Sequence, residues 1–232
     1  MSITPDTLVA DIATATPATI AVFQRHHIDF CCGGRIPLRD ACQAQGLDPS
    51  SLLDELAQAA VPAADGTNWH TAELSALIDH IQARYHEPLR DELPRLRAML
   101  ATVVSRHGEH HAGTLLPLRE TFEALQAELL LHMQKEDAVL FPFIRALEAD
   151  PDANTATAAW ISNPIRAMEA DHDEAGAALS RMRLLTNDYT PPEGACPTFR
   201  GLYHGLAQLE ADMHVHVHLE NNILFPRAAA LV

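Results

Sequence analysis

A chain of 232 residues, 47% of them hydrophobic and only 5% aromatic, is long enough for one large domain or a domain and a half. A formal net charge of −15 with no basic run makes nucleic acid and anionic membranes poor partners. No stretch reaches the roughly 20 uninterrupted apolar residues of a membrane span, and the opening Met1-Ser2-Ile3-Thr4-Pro5-Asp6 carries no secretion signal, so a reducing cytoplasm is expected.

The chain begins with small helices. One is expected near Thr7 to His26, and another starts at Asp48-Pro49, an N-cap followed by proline at the first helical position. Between them lies Ile28-Asp29-Phe30-Cys31-Cys32-Gly33-Gly34. Adjacent Cα atoms are about 3.8 Å apart, below the usual disulfide range, so a bond between Cys31 and Cys32 would be strained and easily reduced. The glycines could leave the sulfurs accessible. The pair is then either a site for redox chemistry or metal relay, or two small buried hydrophobes in a turn. Cys42 and Cys196 are isolated and expected to be structural.

Linker composition follows over 61–70, and the remainder, 71–232, holds four long helical patterns: 72–107, 115–148, 164–187 and 198–230. Turn-rich breaks at 108–113, 150–157 and 190–194 separate them, and Pro88, Pro94, Pro142 and Pro226 are expected to kink or end helices. No strand-like alternation stands out. The fold class is all-α, an antiparallel four-helix bundle with a small N-terminal helical region over 1–60.

Each pattern has an apolar stripe interrupted by polar residues. Phe122, Leu125, Leu129, His132, Glu136, Val139 and Phe143 step by three and four, as do Leu202, Leu206, Leu209, Met213, His216, Glu220 and Ile223. Leu89, Leu93, Leu96, Leu100 and Val103 extend back to His86 and forward to His107, while Ile165, Met168, Ala175, Leu179 and Met182 run through His172. A buried carboxylate costs several kcal/mol or more unless it is paired or binds a metal. Two stripes repeat one phrase, His-x-x-x-Glu followed by Leu-Phe-Pro: His132 with Glu136, and His216 with Glu220. In a helix, residues four apart share a face. One such His is commonly a hydrogen-bonded core residue; the doubled set, with His86 and His172 added, points to a metal site of pseudo-two-fold symmetry. His107 is a reserve or supporting residue, and His110, His111, His214 and His218 are expected to face solvent or to back the ligands.

Four imidazoles and two carboxylates are too nitrogen-rich for calcium or magnesium. No thiolate lies on the stripes, which argues against structural zinc or an iron–sulfur cluster in the bundle. Two ions sharing bridging carboxylates use about eight of roughly twelve octahedral positions, leaving room for an oxo or hydroxo bridge and a small exogenous ligand. Iron fits best, ahead of manganese and zinc.

These residues carry a family resemblance. Asp29-Phe30-Cys31-Cys32-Gly33-Gly34, then Arg84-Tyr85-His86, His132-x-x-x-Glu136, Glu169-Ala170-Asp171-His172-Asp173-Glu174-Ala175-Gly176 and His216-Val217-His218-Leu219-Glu220-Asn221-Asn222 resemble the repair of iron centres family. Those are di-iron proteins with a hemerythrin-like bundle that act on stress-damaged iron–sulfur clusters. The resemblance implies two non-haem irons with His86, His132, His172 and His216 as terminal ligands and Glu136 and Glu220 bridging. It also implies damaged iron–sulfur proteins as partners, nitric oxide or dioxygen as candidate ligands, and a cytoplasmic homodimer induced by nitric oxide or peroxide. Two departures are Asp171, where the longer Glu is expected, and Pro88, just after a ligand. Three function classes stay open: cluster repair by iron supply, with Cys31 and Cys32 aiding transfer; reduction of nitric oxide or dioxygen with electrons from an external donor; and gas sensing without turnover. Enzymatic turnover is therefore undecided by the sequence.

Overall fold

The computed structural model describes residues 3–59, 67–150 and 160–231. The expected linker lies outside the described residues up to position 66, as does the expected break at 150–157 beyond Asp150. Among the described residues all regular structure is helical, with one isolated bridge between Leu8 and Pro37.

The expected first helix is broken. Helices α1 (Val9–Ala15) and α2 (Ile20–Arg25) are separated by a short 3-10 turn at Pro17–Thr19, because Pro17 cannot donate into a continuing α-ladder. Helices α3 (Leu38–Gln45) and α4 (Pro49–Ala59) complete this region. Asp48 caps α4 by accepting from the Ser51 amide at 2.9 Å. α3 ends at Gly46, whose φ of 66° is the left-handed conformation that closes many helices.

The bundle starts with α5 (Leu74–Ile81), whose N-terminus has no cap of its own. Glu148 supplies one from across the bundle, accepting from the Ser75 amide at 2.8 Å and the Ser75 hydroxyl at 2.7 Å. α6 (Glu87–Lys135) doubles back at His111, where φ −128° and ψ 28° leave the helical region. Arg97 lies 3.8 Å from Glu123, and His86 donates to Asp137, pairings that run antiparallel about that bend. The expected break at 108–113 is thus a single kinked residue. α7 (Phe141–Ala149) continues the second leg; α8 (Ser162–Leu185), α9 (Pro197–Leu219) and α10 (Phe225–Ala229) complete the bundle.

Pro88, Pro142 and Pro226 neither end nor sharply bend their helices. Each follows a π-helical segment: Gln82–His86, Glu136–Leu140 and Glu220–Leu224. Proline inside an α-helix costs about 3 kcal/mol through a missing donor and a clash with the carbonyl four residues back, and a wider turn relieves both. The extra residue shifts the buried face. Val139, expected in the core, is 51% exposed, while Leu140 and Phe141 are buried and Ile144 replaces Phe143 as the next fully buried position. Away from the Glu136–Leu140 segment the stripes are buried as read, from Leu89 to Val103 and from Leu202 to His216.

One apolar cluster joins both regions. It runs from Val9, Phe23, Phe30 and Leu56 into Leu89, Leu125, Leu202 and Val217 without interruption. A second lies under the opposite end, from Leu77 and Ile81 through Phe141, Ile165 and Phe225.

Candidate metal centre

His86, His132, Glu136, His172, His216 and Glu220 converge between the two apolar clusters, each no more than 3% exposed. They form two overlapping groups, His86-Glu136-His216-Glu220 and His132-Glu136-His172-Glu220, and within each group the candidate ligand atoms lie within 4.8 Å of one another. Both glutamates belong to both groups. The helical spacing of four brings His132 Nε2 to 3.2 Å from Glu136 Oε2 and His216 Nε2 to 3.0 Å from Glu220 Oε1. His172 Nε2 lies 3.1 Å from Glu220 Oε2 and His86 Nε2 3.4 Å from Glu136 Oε2.

The donors point at one another without satisfying one another. His86 and His216 meet Nε2 to Nε2 at 3.1 Å, and His132 and His172 at 3.0 Å. Glu136 Oε1 and Oε2 and Glu220 Oε2 are buried and accept no hydrogen bond. Orphaned carboxylate oxygens at such depth cost several kcal/mol. A cation between facing imidazole nitrogens and carboxylates removes that penalty, so the residues fit a metal.

The outer ring nitrogens set the orientation. His86 Nδ1 donates to Asp137 at 3.0 Å, and Asp137 also accepts from Gln82 at 2.7 Å and from Arg90. His132 Nδ1 donates to Asp171 at 3.2 Å, which Lys135 binds at 2.6 Å, and His172 Nδ1 donates to Asn221 at 2.7 Å. Such partners fix the ring so that Nε2 faces inward. His216 Nδ1 has no hydrogen-bond partner; Tyr85 stacks on its ring at 5.2 Å instead. Burial opposes the charged form of His86, but Asp137, Glu220 and Glu136 outweigh it and raise its pKa to about 9. Glu136, Glu220 and Asp171 overcome burial to do the same for His132, again to about 9. Burial would raise the Glu220 pKa, yet the surrounding histidines hold it well below the usual carboxylate range.

His107 lies elsewhere. Its Nε2 is 3.3 Å from Cys196 Sγ and its ring packs on Phe199, roughly 30 Å along α6 from His86. His218, expected toward solvent or behind the ligands, is buried against Phe30 and donates from Nδ1 to the Phe30 carbonyl at 3.2 Å. Asp137 and Asn221 were not singled out in the sequence, although each directly follows the Glu of a repeated phrase and so had a signal.

Cys31 and Cys32 sit beside this centre. Their sulfurs are 3.7 Å apart, and Cys32 Sγ is 3.8 Å from the carbonyl of His172. Asp29 holds the turn, accepting from the amides of Cys31, Cys32 and Gly33 at 2.9–3.0 Å. Gly34 is fixed by close approach, since a Cβ there would lie 2.7 Å from the Phe30 carbonyl oxygen. Cys31 is buried, contrary to an open pair, and its neighbour's sulfur together with burial pushes its pKa well up; Cys32 is partly exposed. Both line a cleft of about 850 Å³ between the small helices and α8–α9, with Asp29, Asp173, Arg183 and Glu210.

Residues 77–228 match the hemerythrin HHE cation binding domain, and residues 5–60 match a domain of unknown function, ScdA_N. The chain belongs to the family of iron–sulfur cluster repair proteins. It is 38% identical over 225 residues to the iron–sulfur cluster repair protein YtfE of Cronobacter sakazakii, covering 97% of each chain. It is 36% identical to the iron–sulfur cluster repair protein ScdA of Staphylococcus haemolyticus, across 96% of this chain and 98% of that one. A YtfE protein of Yersinia pestis is 38% identical over 217 residues, 94% of each chain. Among the described residues, no helix is long and apolar enough to cross a membrane.

Proposed function

We propose that this protein holds two non-haem irons and repairs iron–sulfur clusters damaged by nitrosative or oxidative stress by supplying iron. The single observation that carries this reading is the sharing of Glu136 and Glu220 between two four-residue groups, with carboxylate oxygens that accept no hydrogen bond. In this reading His86 and His216 serve one iron, His132 and His172 the other, and both glutamates bridge. Residues 71–232 are the metal-holding bundle, 61–70 the linker and 1–60 the Cys-Cys region. Bound iron supplies redox and Lewis-acid chemistry; Asp137, Asp171 and Asn221 keep the imidazoles aligned.

Cys31 and Cys32 support delivery. Their turn lies against the backbone of His172, beside a cleft whose partly exposed thiol could take iron leaving the bundle. The test mixes iron-loaded protein with a cluster-damaged dehydratase and compares recovery with equimolar free ferrous iron. Faster recovery with the protein, reduced in a Cys31→Ser/Cys32→Ser variant of normal iron content, is expected. Equal recovery with free iron overturns the supply mechanism. Light scattering checks the homodimer expected of a cytoplasmic member of this family.

A further inference from the structure

Three of the four imidazoles in the centre are backed by a parallel aromatic ring. Phe141 stacks on His86 at 5.5 Å and 17°, Phe225 on His172 at 6.0 Å and 6°, and Tyr85 on His216 at 5.2 Å and 5°. Each aromatic comes from a helix other than that of the histidine it backs, or from a distant turn of the same one, so each stack ties two turns together. Each also belongs to, or directly follows, one of the three π segments.

The hydrogen bonding explains the register. In each case the residue just before the proline makes the wide bond across five residues: Glu87 to Gln82, Phe141 to Glu136 and Phe225 to Glu220. The next residue is where the ladder steps back to the α pattern. Proline there offers no N–H to the carbonyl four back or five back, so no donor at that position competes for the carbonyls of the wide turn. Without the inserted residue, everything downstream rotates by about 100°, and Phe141 and Phe225 leave their histidines. The prolines themselves are exposed at all three positions, so they bury no core surface. Pro94 and Pro117 lie in α6 outside any π segment, so the ring alone does not dictate the wide turn. α8, which carries His172, has no π segment, and its histidine is backed by Phe225 from the neighbouring helix.

We infer that Pro88, Pro142 and Pro226 are positioning residues for the metal centre: they keep three π turns open, and the turns set Tyr85, Phe141 and Phe225 flat against ligand imidazoles. The inference rests on the metal reading of the site but concerns the chain's own register, which exists without metal. Ring stacking restricts the imidazoles to one plane, while Asp137 and Asn221 fix the rotation of His86 and His172 within it.

The test uses the full chain, metal-free, titrated with cobalt(II), whose visible bands report ligand geometry. Pro142→Ala/Pro226→Ala is expected to fold with a lower melting temperature, because the buried faces past the two π turns lose their register, to bind cobalt at least tenfold more weakly and to shift its bands. Amide hydrogen exchange of the metal-free variant should show the 139–144 and 223–228 segments protected as regular α-helix. Phe141→Leu should weaken cobalt binding comparably and Phe141→Tyr should restore it, while Pro94→Ala changes neither affinity nor bands. Wild-type affinity and bands in the double variant, or its failure to fold, would overturn the inference. Equal weakening by Phe141→Tyr and Phe141→Leu would do the same. If the native protein takes up no metal, the functional reading fails instead, and the exchange pattern of the metal-free chains still decides whether the prolines set the register.

Discussion

The two halves of the centre are built by the same rule and differ most at one place. In the first half, Asp137 follows Glu136 and accepts from His86; in the second, Asn221 follows Glu220 and accepts from His172. Phe141 backs His86 as Phe225 backs His172. The residue before each lone histidine breaks the symmetry. Asp171 precedes His172 and accepts from His132, while Tyr85 precedes His86 and can only stack on His216, whose Nδ1 is left without a partner. Imidazole basicity is tuned by the acceptor on its far nitrogen, so the His132 side is the stronger donor pair and the His86–His216 side is unevenly supported.

The largest effect should come from the residues the halves share. Glu136→Leu should lose metal from both positions and leave the metal-free protein more stable, since a buried charge gives way to an apolar group. Elemental analysis and metal-free melting check this, and retention of one full equivalent would break the bridging assignment. Next, Asp171→Asn and Asp137→Asn should each weaken metal binding about 10–100-fold, the usual range for such supporting residues. Competitive titration should show the two variants weakening different equivalents; identical behaviour would mean the halves are not separable. A smaller effect is expected from Asn221→Ala, which removes a neutral acceptor where the two Asp variants remove a charged one. Its loss of affinity should be less than that of Asp171→Asn, measured in the same titration.

The smallest effect tests whether the His86 side is also held from outside. Glu148→Gln should cost about 1 kcal/mol in chemical denaturation, as for a lost helix cap. Burial opposes the charged form of Glu148, but the Ser75 side chain, the Leu74 and Ser75 amides and Arg227 bring its pKa below the usual value. A depressed folded value gives stability that is full above the unfolded carboxylate pKa of about 4.3 and is lost as pH falls through the folded one. Wild type and variant should therefore converge in acid, and a difference that persists there would exclude the carboxylate as the cause.

The polar interruptions of the apolar stripes were legible because His86, His132, Glu136, His172, His216 and Glu220 lie on faces whose period is that of an α-helix up to the site. Past Glu136 an α-helical period puts Val139 and Phe143 inward, one residue out of step with the buried Leu140 and Ile144. Periodicity assumes one turn width, and the π segment changes it. His218, expected to face solvent or to back the ligands, does neither: the small N-terminal helices cover its face of the helix and bury it. That cover could not be foreseen from the chain's own pattern, since it joins residues nearly two hundred positions apart, as between Phe30 and His218.

The joint core also sets an order of assembly. Phe23, Phe30 and Leu56 leave the ribosome first, yet they pack with Leu202, Leu209 and Val217, which are synthesised near the end. Gln24 donates to the carbonyl of Ala211 at 2.9 Å, and Asn222 to that of Cys31 at 3.0 Å, contacts that close only once the last helices exist. For most of translation the nascent Cys31–Cys32 turn therefore lacks the cover that buries Cys31 in the finished molecule, and its thiols stand open before the metal pocket has formed.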